Sequence, residues 1–325
     1  MTGRAWLGSG TRRAVAGCAA AALSFGLVSA VAAEDVSSPM EFSVGTITPA
    51  QIDAAIDRVD GLVAEVMERS GVPGMAVAVV RDGKTVFAKG YGVRRAGEDA
   101  RVDPDTVFQL ASISKSISAT VVAHEIGEGR VTWNTPIVEH LPWFKLSSPF
   151  VTTDVTVGDM FAHRSGLPGQ AGDILEGLGF DRRQIIERLR LLPLNSFRDT
   201  YANFGLTTGG EAVAEAAGME WADLSEKAIF GPLGMTSTSA RFADFKAREN
   251  RAAGHVLVDG AYEPKFVRQP DPQAPAGGVS STVNDMARWM VMLLQNGVYE
   301  GREIDPDAPL REAMQPQIVS GPAPT

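Results

Sequence analysis

The sequence predicts an α+β fold, and three observations carry that expectation. An amphipathic helical pattern follows residue 48, two strand-like runs meet at an Asp-Gly pair, and a long stretch after residue 112 reads mainly as helix broken by Gly- and Pro-rich turns. Thr48-Pro49-Ala50-Gln51 opens the first element as a helix start, with a Thr cap, Pro in the first turn and Gln reaching back. Ile52, Ile56, Val59, Val63 and Val66 then recur on one helical face. Next come MAVAVV (Met75 to Val80) and TVFAKGY (Thr85 to Tyr91), which flank Arg81-Asp82-Gly83-Lys84; Asp-Gly supplies the positive φ angles of a tight hairpin turn. From Ser112 to Met235 the pattern is mainly helical, with Asp181 to Leu192 a clear amphipathic segment. Thr282 caps a later helix with Asp285 three residues on, and Met286, Trp289, Met290, Leu293 and Leu294 form its expected apolar stripe. Pro270 to Gly278 reads as a loop.

Composition bounds the function. With 325 residues and 44% hydrophobic content the chain can bury the core of one large domain or two packed ones, which excludes disorder and a collagen-like fibre. The formal net charge is −9, and no Lys/Arg-rich run offers the clustered positive charge that phosphate binding needs, so no nucleic-acid partner is expected. A single cysteine, Cys18, leaves no disulfide framework and no Cys-based zinc site. His124, His140, His163 and His255 are scattered, with no H-E-x-x-H pair to put two imidazoles on one helical face. No metal or cofactor is expected.

The first 33 residues read as a signal peptide. Arg4, Arg12 and Arg13 precede the uncharged run Ala14 to Ala33, which ends in the small-residue pattern Val31-Ala32-Ala33. An uncleaved membrane anchor is the rival reading, set aside because the run is mostly Ala, Gly and Ser. A lipoprotein reading through Cys18 is weaker still, and Arg12-Arg13 hints at twin-arginine export. The expected product is exported, periplasmic or extracellular, with no stable membrane span after processing and residues 34–325 as one domain.

Two short motifs could carry chemistry. Ser112-Ile113-Ser114-Lys115 is an S-x-x-K at an expected helix start, where positions i and i+3 share a face. A free hydroxyl is a poor nucleophile, and a desolvated, neutral lysine can accept its proton. A solvent-facing lysine after a Ser-rich cap is the bland alternative. Tyr201-Ala202-Asn203 shifts the balance, because chance gives Y-x-N only roughly 0.07 times in a chain of this composition. A tyrosine near a lysine can share its proton, and an asparagine can bridge the lysine and a substrate amide. A half-buried phenol that merely packs its ring is the alternative for Tyr201. No G-x-S-x-G elbow occurs.

In this order, Ser112-x-x-Lys115 and Tyr201-x-Asn203 resemble the serine β-lactamase/D-alanyl-D-alanine carboxypeptidase family, most closely its class C and esterase-like branch. Phe108-Gln109-Leu110-Ala111-Ser112 resembles the approach to the nucleophile, and His163-Arg164-Ser165-Gly166-Leu167-Pro168 the family's H-x-S-G-L-P segment. Gly231-Pro232-Leu233-Gly234-Met235 is similar to its P-L-G-M turn, and Ala276 to Ser281 to its glycine-rich stretch before a helix. The resemblance covers roughly Ile52 to Met314. It implies an antiparallel sheet flanked by helices with a mainly helical insertion. It further implies Ser112 as acyl-accepting nucleophile, Lys115 as general base, Tyr201 as proton-sharing partner and Asn203 as the group orienting Lys115 and substrate. His163 and Ser165 fall in what the family uses as a structural loop, so no chemistry is expected of them. Small-molecule or peptide substrates with an amide, ester or β-lactam bond are implied.

The chain departs from the family at a third motif. No K-T-G or H-x-G occurs, although the family normally faces one to the serine and draws its second oxyanion donor from the same strand. The sequence therefore predicts that the C-terminal part of the catalytic domain is missing after Thr325. It also raises a rival from another class, a non-catalytic binding module that keeps the pocket for a peptidoglycan-like ligand.

Overall fold

A computed structural model describes residues 47–195, 200–265 and 267–318. The expected signal peptide with Cys18, and the end at Thr325, lie outside the described residues. The chain divides into Met1–Gln51 and Ile52–Thr325, and the site lies wholly in the second unit.

Helix α1 spans Pro49–Asp57 and starts as expected: the Gln51 N–H donates to Thr48 Oγ1 at 3.3 Å, and the Thr48 N–H donates to Gln51 Oε1 at 2.8 Å. The apolar stripe does not run through one helix, however. A break at Arg58 starts α2 (Val59–Ser70), and of the five stripe residues only Val63 is buried, while Val66 is 47% exposed. The cover is thin: α2 lies mainly against one strand, β1 (Gly74–Arg81), and its outer face is left to solvent.

Strand β1 pairs antiparallel with β2 (Lys84–Gly92), from Gly74 opposite Gly92 to Arg81 opposite Lys84, with the register shifting by one residue between Val79 and Val80. The turn between them has Asp82 at φ 51° and Gly83 at φ 70°, the two positive angles that Asp-Gly predicts. Strand β3 (Phe108–Gln109) leads to α3 (Ser114–Gly127) and later α4 (Arg182–Arg188), then α5 (Asn203–Ala217). Beyond α5 lie β4 (Val256–Val258), β5 (Ala261–Glu263), β6 (Ser280–Ser281), α6 (Val283–Leu294), β7 (Val298–Tyr299), β8 (Arg302–Glu303) and α7 (Asp307–Met314). Among the described residues the strands form four two-stranded sheets: β1-β2, β3-β6, β4-β5 and β7-β8.

The core sits among the helices. Ile117, Val121 and Val122 of α3 and Phe204 and Val213 of α5 are buried with Met160, Leu167, Trp221 and Phe230. Segment 181–192 begins with the expected cap, Asp181 with Gln184, but its helix stops at Arg188 and a 3-10 turn, Leu189–Leu191, completes it. In α6 the Thr282 cap holds, its Oγ1 accepting the Asp285 N–H at 3.1 Å, and Trp289 is buried. Leu294 is instead 64% exposed, and Met292 takes its place in the core. The helix is covered from two sides, by the hairpin and by α3 through Trp289 Nε1–H, which donates to Thr120 Oγ1 at 3.3 Å. Pro270 to Gly278, expected as a loop, folds as a 3-10 turn (Asp271–Gln273) and a short helix (Ala274–Gly277). Among the described residues no helix is long and apolar enough to cross a membrane.

Candidate active site

Ser112 sits in a 3-10 turn, Ala111–Ile113, that runs directly into α3. Ala111 is held at φ 47°, a left-handed conformation that a residue with a side chain adopts only when its surroundings enforce it. That bend comes as β3 ends: Leu110 N–H donates to the Val279 carbonyl at 2.9 Å, which ties the approach to the glycine-rich segment before β6. One helical turn on, Lys115 points back at the serine, as i, i+3 spacing requires.

Lys115 Nζ donates to Ser112 Oγ at 3.1 Å, to Asn203 Oδ1 at 2.7 Å and to the Ala276 carbonyl at 2.8 Å. Those three acceptors match the three donors of an ammonium. Burial nonetheless holds Lys115 below the ordinary lysine range, with Arg268 pushing the same way and Tyr201 and Asp173 pulling it back up. Tyr201 Oη donates to Ser112 Oγ at 2.6 Å, and Lys115 Nζ lies 4.6 Å from the centre of the tyrosine ring. All four residues singled out in the sequence, Ser112, Lys115, Tyr201 and Asn203, therefore meet in one constellation built from the head of α3 and the head of α5. A cavity of about 160 Å³ opens beside it, lined by Gln109, Ser112, Asn203, Arg268 and Gln273. A larger one, about 300 Å³, reaches the other side of Lys115 between Trp133, Phe161 and His163. The Ser112 cleft is the one that meets the nucleophile.

A family model described as Beta-lactamase matches residues 59–325. The chain belongs to the Beta-lactamase family. Within that family, 248 residues are 29% identical to the unguisins hydrolase ungD' of Aspergillus campestris, covering 72% of this chain and 46% of the relative. The D-alanyl-D-alanine-carboxypeptidase/endopeptidase AmpH of Escherichia coli K12 is 26% identical over 253 residues, 76% of this chain and 64% of that one. The chain thus spans from under half to under two thirds of the length of these curated relatives. A class C beta lactamase from Rhodobacter sphaeroides superposes with a TM-score of 0.65 at 25% identity, over 78% of this chain and 68% of that one. The α+β Beta-lactamase fold read from the motifs is the fold observed.

Other members of the site had no motif to announce them. The Ala276 carbonyl is a backbone group, and Asp173, whose Oδ2 accepts from Asn203 Nδ2 at 2.9 Å, stands in an unremarked Gly-Asp-Ile-Leu-Glu run. His163, expected to be structural, sits with its ring 4.6 Å from that of Tyr201 at a 35° tilt, and its Nδ1 accepts the Ala202 N–H at 3.3 Å. Ser165 is buried and outside the constellation.

Proposed function

We propose that this protein is an exported serine hydrolase that works through an acyl-enzyme on an amide, ester or β-lactam bond. The observation that carries the reading is the hydroxyl of Ser112 held between two groups able to exchange protons, Tyr201 Oη at 2.6 Å and Lys115 Nζ at 3.1 Å. Ser112 Oγ attacks the carbonyl carbon as its proton passes to the coupled Lys115/Tyr201 pair. The Ser112 N–H at the start of the helical turn stabilises the developing oxyanion. When the C–N or C–O bond breaks, the pair returns the proton to the departing nitrogen or oxygen, leaving an ester on Ser112. Water then adds to that ester, giving its proton to the same pair; as the bond to Ser112 Oγ breaks, the pair returns that proton to the serine and the acid product leaves. Asn203 keeps Lys115 in reach of the serine. Export rests on the basic, apolar and small-residue order of residues 1–33.

Labelling with a fluorescent penicillin and a fluorophosphonate tests the reading. Intact mass should show one adduct, localised to Ser112 and absent from Ser112→Ala. An adduct that persists on Ser112→Ala removes the nucleophile assignment. No adduct from either probe on the folded protein favours a non-catalytic binding module in the same pocket.

A further inference from the structure

We infer that Asp173 is a positioning residue that sets both the orientation of Asn203 and the proton affinity of Lys115. The inference rests on the reading of Lys115 as half of the proton-exchanging pair. An asparagine amide has two faces, one accepting and one donating, and Lys115 can use only the accepting face while it is charged. Asp173 selects that face. Its Oδ2 takes Asn203 Nδ2–H at 2.9 Å, which leaves Asn203 Oδ1 toward Lys115 Nζ at 2.7 Å. A carboxylate is acceptor-only, so the flipped amide would set two acceptors against each other and leave the lysine facing a donor.

The local chain is shaped for this contact. Gly172, at φ 87°, turns the backbone so that Asp173 opens a short helix, Asp173–Gly177; a Cβ at Gly172 would sit 3.0 Å from the ring of Phe204, the residue after Asn203. The second oxygen, Asp173 Oδ1, is buried with no hydrogen-bond partner among the described residues, a cost the fold bears where a neutral Asn would also have fitted the Asn203 contact. One turn on, Glu176 repeats the arrangement. Its Oε2 accepts from Arg268 Nη2 and Gln273 Nε2, each at 2.6 Å, and both donors line the Ser112 cleft. The charged and titratable groups around Lys115 are therefore the Asp173 carboxylate behind Asn203, the Arg268 guanidinium tied to Glu176, the Tyr201 phenol and, beyond it, the His163 ring. Asp173 is the acid in direct line with the lysine through one amide.

The test separates orientation from charge. Asp173→Asn keeps an acceptor for Asn203 but removes the charge, and Asp173→Ala removes both. With ¹³C,¹⁵N-lysine labelling of the full chain, which has seven lysines, Lys115 is assigned by loss of its signal in Lys115→Arg. Removing a negative charge two hydrogen bonds away should lower the Lys115 midpoint by roughly 0.5–1 pH unit in Asp173→Asn. The rate of Ser112 phosphonylation by a fluorophosphonate should rise at correspondingly lower pH, with its plateau within about threefold of the parent. Asp173→Ala should move the midpoint at least as far and also lower the plateau about tenfold. A midpoint unmoved in both variants overturns the inference, as does a plateau unchanged in Asp173→Ala. The lysine titration needs no reactive serine, so a failure of Ser112 to label would overturn the hydrolase reading while this measurement still decides the role of Asp173.

Discussion

The helices around Ser112 and the hairpin β1-β2 solve the same burial problem to different degrees. No residue of either strand reaches the buried class, and every position of β1 is half-buried, whereas α3 and α5 between them bury side chains on nearly every turn. The helical region can shield a charged lysine from water and fix it with three acceptors. The hairpin relies on surface contacts, Asp60 accepting from Tyr91 Oη at 2.6 Å and from Lys89 Nζ at 2.9 Å. A reactive site needs the first kind of environment, because only there is a lysine desolvated enough to give up its proton.

Large-to-small substitutions should expose this contrast most strongly. Phe230 is 1% exposed in the helical core, so Phe230→Ala should cost about 3–5 kcal/mol, read as a lower urea midpoint. Phe87 on β2 is only half-buried, and Phe87→Ala should cost about 1 kcal/mol. Equal losses would mean that the hairpin is packed as tightly as the helices, and the comparison would break.

Ser114 sharpens the distinction between stability and chemistry within the helical region itself. It sits beside the nucleophile in sequence but faces away from Lys115, fully buried, with its Oγ accepting the Val279 N–H at 3.0 Å. Ser114→Ala strands that N–H, at a cost of about 1–3 kcal/mol, while labelling of Ser112 on the folded protein should stay within a few-fold of the parent. A large loss of labelling without a loss of stability would move Ser114 into the catalytic group.

What the sequence could and could not reveal follows from the range of each interaction. S-x-x-K spans one helical turn, Y-x-N one helix start and Asp-Gly one β-turn, so each carries its geometry in local spacing. Lys115 meets Asn203 across 88 positions and the Ala276 carbonyl across 161, and a carbonyl belongs to every residue alike. Asp173 carries no local signature for the same reason: it reaches the site only through Asn203, 30 positions away. In α6 four of the five expected stripe residues, Met286, Trp289, Met290 and Leu293, pack on the core; Leu294 departs, since a period of 3.6 marks one apolar face and this helix is covered on two.

Titration offers a finer contrast between the regions. In the helical part, His124 Nδ1 lies 3.4 Å from Asp305 and 2.9 Å from the Ile304 carbonyl, and Asp305 is fully buried. The carboxylate raises the histidine above its ordinary value, and burial raises Asp305 above the usual carboxylate range. Both groups bind protons more tightly in the folded state, so their contribution is complete below the unfolded values and is lost as pH rises through the folded ones. The urea midpoint should therefore fall as pH rises through the carboxylate and then the histidine range. Asp305→Asn should flatten the histidine part of that fall; an unchanged slope would show that the pair does not set it.

The hairpin should give the smallest effect, and one of opposite sign for its acid. Hydrogen bonds from Tyr91 and then Lys89 hold Asp60 below the ordinary aspartate value, so its contribution is present above the unfolded value and disappears as pH falls through the folded one. Tyr91, raised to about 12 first by burial and then by its bond to Asp60, contributes below about 10 and loses that contribution between about 10 and 12. Solvent screens both groups, so the effect on stability is small. Tyr91→Phe should lower the urea midpoint slightly at neutral pH and remove the alkaline fall between pH 10 and 12, leaving the reactivity of Ser112 untouched. If that variant instead destabilised the protein as much as Phe230→Ala, the hairpin would have to be counted with the core, because a single exposed hydrogen bond cannot supply a loss of that size.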